Sequence, residues 1–265
     1  MGESIVITSG KGGVGKTTTT ANIGAALALE GKKVCVIDAD IGLRNLDIVL
    51  GLENRIVYDI VDVVTGVCRA KQALIKDKRF DNLCLLPAAQ TKDKNSVTPA
   101  QMKELIDDLK KTFDFVIVDC PAGIEQGFKN AIAGADRAIV VTTPEVSAVR
   151  DADRIIGLLE AAEVHDPRLI VNRLRVDMVK RGEMMTVEDI EDILAIELIG
   201  VVPDDEEVVM STNRGEPTVF KNNSLSGTAF KNVAKRIIGE EVPFLQFDVQ
   251  ENFFEKLKRA FSFGK

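Results

Sequence analysis

The sequence has a single histidine and four cysteines, none of them in a C-x-x-C pair. Cys35, Cys68, Cys84 and Cys120 are scattered through apolar stretches, and His165 stands beside Asp166-Pro167 in a loop pattern. These residues do not make a thiolate or imidazole cage, which argues against a zinc module and against an iron–sulfur carrier. No apolar run approaches the ~18 residues of a membrane-spanning helix. The N-terminus enters an apolar stretch with no basic leader, so no secretory signal is expected. Val6 stands where a myristoylation signal needs Ser or Thr. Cationic excess is also missing: 34 Lys and Arg against 41 Asp and Glu give a net charge of −7, so nucleic acid is not the expected partner.

What is present suits one large α/β domain. The chain has 265 residues, 45% of them apolar and 28% charged, enough for a full core. The isolated cysteines read as small buried thiols of a reducing cytoplasm. Strand-like and helix-like stretches alternate at least six times. That pattern predicts a mostly parallel sheet with helices on both faces.

The chain is organised around Gly10, Lys11, Gly12, Gly13, Val14, Gly15, Lys16 and Thr17. Residues 3–9 (ESIVITS) before it read as a buried strand, and residues 18–30 (TTTANIGAALALE) after it as a helix. Strand, glycine loop and helix in that order are the phosphate-loop pattern G-x-x-x-x-G-K-[ST]. The glycines let backbone N–H groups approach phosphate oxygens, and the helix N-terminus adds donors and partial positive charge. Lys16 then reaches the β- and γ-phosphates, the Thr17 hydroxyl ligates Mg2+, and Thr18 continues the nucleotide contact.

Two further strand patterns end in acids. Residues 33–38 (KVCVID) run into Asp38-Ala39-Asp40, and residues 113–119 (FDFVIVD) end at Asp119 before Cys120-Pro121-Ala122-Gly123. Acids at the carboxyl ends of strands lie where open α/β sheets bind ligands. Beside a Mg2+-triphosphate they hold the metal or orient an attacking water. Further strands are expected at residues 81–87, 137–143, 168–171 and 198–202, and helices at 54–66, 98–111, 146–162 and 224–238.

Lys11, a second cation inside the loop, is unusual. With it, K-G-G-V-G-K-T resembles the deviant Walker A motif of the MinD/ParA class of ATPases. Residues 41–47 (IGLRNLD), 119–125 (DCPAGIE) and 144–154 (PEVSAVRDADR) resemble the MinD family within that class. The resemblance implies a phosphate-loop NTPase domain over residues 1–239, using ATP and Mg2+. It makes Lys11, Lys16 and Asp40 catalytic: Lys11 reaches a partner's nucleotide across an ATP-dependent homodimer, and Asp40 positions the hydrolytic water. It places Thr17, Asp38 and Asp119 at the metal and Asn172 against the adenine edge, with the adenine's other wall near Pro203. Asp151 and Asp153 become candidates for a partner surface. The implied protein is a regulator of division-site placement that recruits a MinC-type inhibitor, with MinE or a polar protein stimulating or positioning it. Flagellar-number and chromosome-partition ATPases of the same class are the alternatives.

The C-terminus reads separately. Residues 240–251, with Pro243, form a linker; residues 252–265 carry four cations and one anion. On a helix Phe253, Leu257 and Phe261 share a face with Phe254 beside it, flanked by Lys256, Lys258 and Arg259. That is the composition of a helix lying on an anionic membrane. One such short segment binds marginally, since it must order on binding, and two on a dimer gain through effective concentration. The family has this tail as well, which implies a cytoplasmic protein held peripherally on the inner face of the cell membrane.

Overall fold

The computed structural model describes residues 1–247. The membrane-face residues Phe253, Phe254, Lys256, Leu257, Lys258, Arg259 and Phe261 therefore lie outside the described residues. The elements run β1 (Glu3–Thr8), α1 (Lys16–Leu29), β2 (Val34–Asp38), α2 (Leu46–Leu50), α3 (Ile60–Val64), α4 (Ala70–Ala73), β3 (Ile75–Lys76) and β4 (Leu83–Leu86). After them come α5 (Pro99–Leu109), β5 (Phe115–Asp119), α6 (Gln126–Ile132), β6 (Arg137–Thr142) and α7 (Val146–Ala161). The chain closes with β7 (Arg168–Leu174), α8 (Val176–Lys180), α9 (Val187–Leu194), β8 (Leu198–Pro203), α10 (Glu206–Asn213) and α11 (Leu225–Ile237).

Eight strands form one sheet in the order β3-β4-β2-β5-β1-β6-β7-β8. Seven are parallel; only the two-residue β3, an edge strand that the sequence reading does not anticipate, runs antiparallel to β4. Alternate residues of each strand face opposite layers, as a pleat requires. Ile5, Ile7, Val36 and Ile117 pack under α1 and α11, while Val6, Ile37, Val116 and Val118 face α5 and α7. α1 is buried on nearly every side. A Cβ at Gly24 would lie 2.5 Å from Val36, so this glycine sets how closely the helix approaches the sheet.

The stretch 54–66 is not one helix. Its residues form a 3-10 turn at Glu53–Arg55 and then only the short α3. The Asp59 carboxylate accepts from the N–H groups of Val61 and Asp62, which starts the helix at Ile60, and Gly66 at φ 78° follows its end. Capping boxes at Thr98/Gln101 and Thr186/Asp189 start α5 and α9. All four cysteines are buried and unpaired.

At the amino ends of the strands, Asp136 ties β6 to β1 and α5. It accepts from the Ser4 N–H (2.8 Å), the Ser4 hydroxyl (2.9 Å) and Lys110 Nζ (2.7 Å). Burial pushes its pKa up, but the Lys110 and Ser4 hydrogen bonds outweigh it and hold the carboxyl below its ordinary value. A depressed folded-state pKa stabilises the fold above the unfolded value of about 4, and that stability is lost as pH falls through the folded value. Asp136→Asn is therefore expected to cost roughly 1 kcal/mol at neutral pH, after allowance for solvent screening, and less near pH 3. Urea melts of both proteins across that range are the check; a pH-independent difference would assign the loss to packing.

Candidate functional site

The site forms where β1 ends at the middle of the sheet. The chain leaves Thr8, turns through the glycine loop and enters α1 at Lys16, two residues earlier than the sequence pattern indicates. Gly13 (φ 80°) and Gly15 (φ 101°) take left-handed backbone that a side chain resists. Gly15 is also the N-cap of α1, and no side chain caps this helix. Its first-turn N–H groups are thus left for an anion.

Lys16 is 7% exposed and donates to Ser9 Oγ at 3.0 Å. Ser9 in turn donates to the Lys11 carbonyl at 2.8 Å. This serine, absent from the sequence motif, fixes where the ammonium sits against the loop. Thr17 and Thr18 follow on the first turn, half-buried, and the Thr18 carbonyl accepts from the Asn22 amide.

Asp38 and Asp119 are register partners on the adjacent strands β2 and β5, 1% and 2% exposed. Asp119 accepts from Thr20 Oγ1 at 3.3 Å. Asp38 accepts three backbone N–H groups, from Asp40 (2.9 Å), Asn45 (3.1 Å) and Leu46 (3.0 Å). It is the clip that shapes the turn carrying Asp40. Burial raises both acids; Asp38 raises Asp119 further, while Thr17, Lys16 and Thr20 pull Asp119 back. Two buried acids driven up in this way gain from a cation. Among the described residues no cluster of three or more His, Cys, Asp or Glu forms a metal cage. Mg2+ needs none, since it is held by one or two carboxylates together with substrate phosphates and water. Thr17 and Asp119, facing a phosphate cradle, fit that ion.

Asp40 is half-buried on its turn and lines a small crevice with Pro121, Gly127 and Asn130. The turns after β2 and β5 thus meet.

Lys11 lies with the residues that open α7. Its ammonium donates to Glu145 (3.2 Å) and Ser147 (3.1 Å), with 42% of its side chain exposed. Asp151 is close by: a Cβ on Gly10 would lie 2.2 Å from the Asp151 carbonyl, so the loop rests on the backbone of α7. Asp153 is exposed. The structure therefore sets Asp151 at the loop and Asp153 on the surface.

Asn172 at the end of β7 is buried and donates to the Val14 carbonyl at 2.8 Å. A Cβ on Gly15 would meet this amide at 2.3 Å. The residue expected at the base secures the loop in this structure, and Arg173 beside it takes a left-handed φ of 57°. Just beyond, between the ends of β7 and β8, opens a cavity of about 800 Å3 lined by Leu174, Pro203, Asp204, Val209 and Leu225 among others. Ser9, Thr20, Glu145 and Ser147 are the site residues that sequence reasoning missed. Only Thr20 carries a signal there, as the third threonine after Thr17 and one helical turn from Lys16.

The sequence profile of the CobQ/CobB/MinD/ParA nucleotide binding domain matches residues 5–219. The chain is similar to the septum site-determining protein MinD of Bacillus subtilis (strain 168), with 59% identity over 264 residues and 98% of each chain covered. It is also similar to the MinC:MinD cell division protein complex of Aquifex aeolicus, at TM-score 0.87 and 51% identity over 93% of this chain and 100% of that one. A third similar structure is the septum site-determining protein MinD of Pyrococcus horikoshii complexed with Mg-ADP, at TM-score 0.82 and 32% identity, covering 90% and 97% of the two chains.

Proposed function

Because the chain belongs to the MinD family of septum site-determining proteins, we propose that it hydrolyses ATP with Mg2+ and uses the bound triphosphate to assemble a membrane-associated dimer. The observation that carries this reading is the buried Lys16 in an uncapped glycine loop, beside the buried pair Asp38 and Asp119. Lys16 and the N–H groups of α1 hold the β- and γ-phosphates, and Thr17 and Asp119 hold the metal. Bound there, Mg2+ would supply neutralising charge for phosphoryl transfer. Asp38 holds the turn, and Asp40 aligns the attacking water. Lys11 is the group for a partner's nucleotide: its present contacts, Glu145 and Ser147, are half-exposed, so exchanging them costs little. Hydrolysis in one chain alone is accordingly slow.

The complex of the Aquifex relative with MinC supports recruitment of a MinC-type inhibitor, with the start of α7 and Asp153 as the candidate surface. Residues 252–265 supply the lipid contact, and the net charge of the whole chain disfavours a DNA partner. The test is sedimentation with anionic liposomes in ATP and in ADP. Pelleting is expected with ATP, falling to background when residues 252–265 are deleted while nucleotide binding is retained. Equal pelleting of full-length and truncated protein would remove the tail from the mechanism.

A further inference from the structure

The stem of the C-terminal segment does not hang free. Arg236 on α11 donates from Nε and Nη2 to the Val242 carbonyl (3.0 and 2.8 Å) and from Nη2 to the Pro243 carbonyl (2.9 Å). Its Nη1 donates to the Ile199 carbonyl of β8 at 2.9 Å, so one guanidinium ties stem to sheet. The Phe244 ring lies 4.1 Å over the same guanidinium, and Leu245 packs on the core beneath α11. This path delivers Gln246 and Phe247 to the cavity at the ends of β7 and β8, which they line together with Leu174, Pro203, Val209 and Leu225. Phe247 is half-buried there.

The location decides what the cavity takes. The glycine loop follows β1, with β5 and β2 and their acids on one side and β6, β7 and β8 on the other. Phosphates on the loop with metal at Asp119 leave the β6–β8 side for the nucleoside. The cavity opens there, two residues past Asn172, which is bonded to the loop itself. Its volume, about 800 Å3, is ample for a base and ribose; Leu174, Pro203, Val209 and Leu225 offer apolar faces to a heteroaromatic ring, while Arg175, Asp177, Asp204, Asp205 and Glu206 supply polar groups in the same lining.

We propose that Phe247, with Gln246, forms the outer wall of the base pocket, so that the stem of the C-terminal segment is itself a nucleotide contact. The inference rests on the nucleotide reading of the loop. Its consequence is regulatory: occupancy by the base adds a contact at Phe247 to those that Arg236, Phe244 and Leu245 already give the stem.

The chain has no tryptophan, so Phe247→Trp in the full-length protein places one indole at the pocket. Its emission is expected to change on adding Mg-ATP or Mg-ADP, following the binding isotherm measured by calorimetry, while Phe244→Trp stays silent. Phe247→Ala is expected to weaken ATP and ADP roughly three- to tenfold, the scale of one aromatic contact. Its affinity for inorganic tripolyphosphate, which occupies the loop without a base, should remain unchanged. Calorimetric ATP binding with a silent indole in the Phe247→Trp protein and unaltered affinity in Phe247→Ala would overturn the inference and leave the nucleotide reading standing. Equal weakening of ATP and tripolyphosphate would also overturn it, since the residue would then act on the fold. Absence of any ATP binding to the unaltered protein would overturn both.

Discussion

Lys16→Ala is expected to abolish nucleotide-dependent dimerisation and to weaken ATP binding by a factor of about 30 or more. The ammonium is almost wholly buried, with its hydrogen bond to Ser9 already in place. Little reorganisation is therefore needed when phosphate arrives. Removing one member of a buried, hydrogen-bonded charge pair costs about 2–5 kcal/mol, and each 1.4 kcal/mol is tenfold in affinity. Lys16→Met keeps most of the stem and separates packing from charge; it should fail almost as completely. Light scattering and calorimetry in ATP check both effects. A Lys16→Ala protein that still dimerises on ATP would detach assembly from the phosphate loop.

Asp40→Ala is expected to divide hydrolysis from binding. The rate of phosphate release should fall about 100-fold or more, the scale of one positioned acid or base in a proton transfer. ATP affinity should change little, because the loop and Lys16 are untouched. The protein would then accumulate as the ATP dimer and stay on liposomes. Asp38→Ala should look different. Asp38 holds three N–H groups of the following turn, so its loss disorders the Asp40 turn and lowers stability as well as rate. Single-turnover phosphate release and thermal melts of the two variants make the comparison. Undiminished turnover in Asp40→Ala would assign the water to another group.

Much of this was legible before any coordinates. Local signals were strong where the chain's own covalent geometry decides the outcome. Gly13 and Gly15 need left-handed backbone, Thr98 with Gln101 caps α5, and runs such as VCVID and FVIVD make buried strands. The edge strand β3 was not legible, since two residues carry no period. The 54–66 segment misled because its apolar spacing is helical while Asp59 caps a later start. Glu145 and Ser147 reach Lys11 through tertiary contact; Glu145 lies 134 positions away, and no pattern in the chain links them. Ser9 is a local partner of Lys16, but no serine there belongs to the motif. Asn172, expected at a base, donates to the Val14 carbonyl and braces the loop in the structure. The linker reading missed Arg236, because a guanidinium gripping two carbonyls leaves no trace in composition.

The distance along the chain between parts of this site also sets when it comes into being. β1 and the glycine loop are made well before the strands that flank β1, which begin at Phe115 and Arg137. The Asn22 amide oxygen of α1 waits for Thr218 (2.9 Å) and Val219 (3.1 Å). At about 5–20 residues per second, some 10–40 s of translation separate the loop from its last brace. A ribosome-bound chain thus carries the whole phosphate-loop sequence through that interval without a finished nucleotide site. Competence for assembly waits for Thr218 and Val219 to emerge.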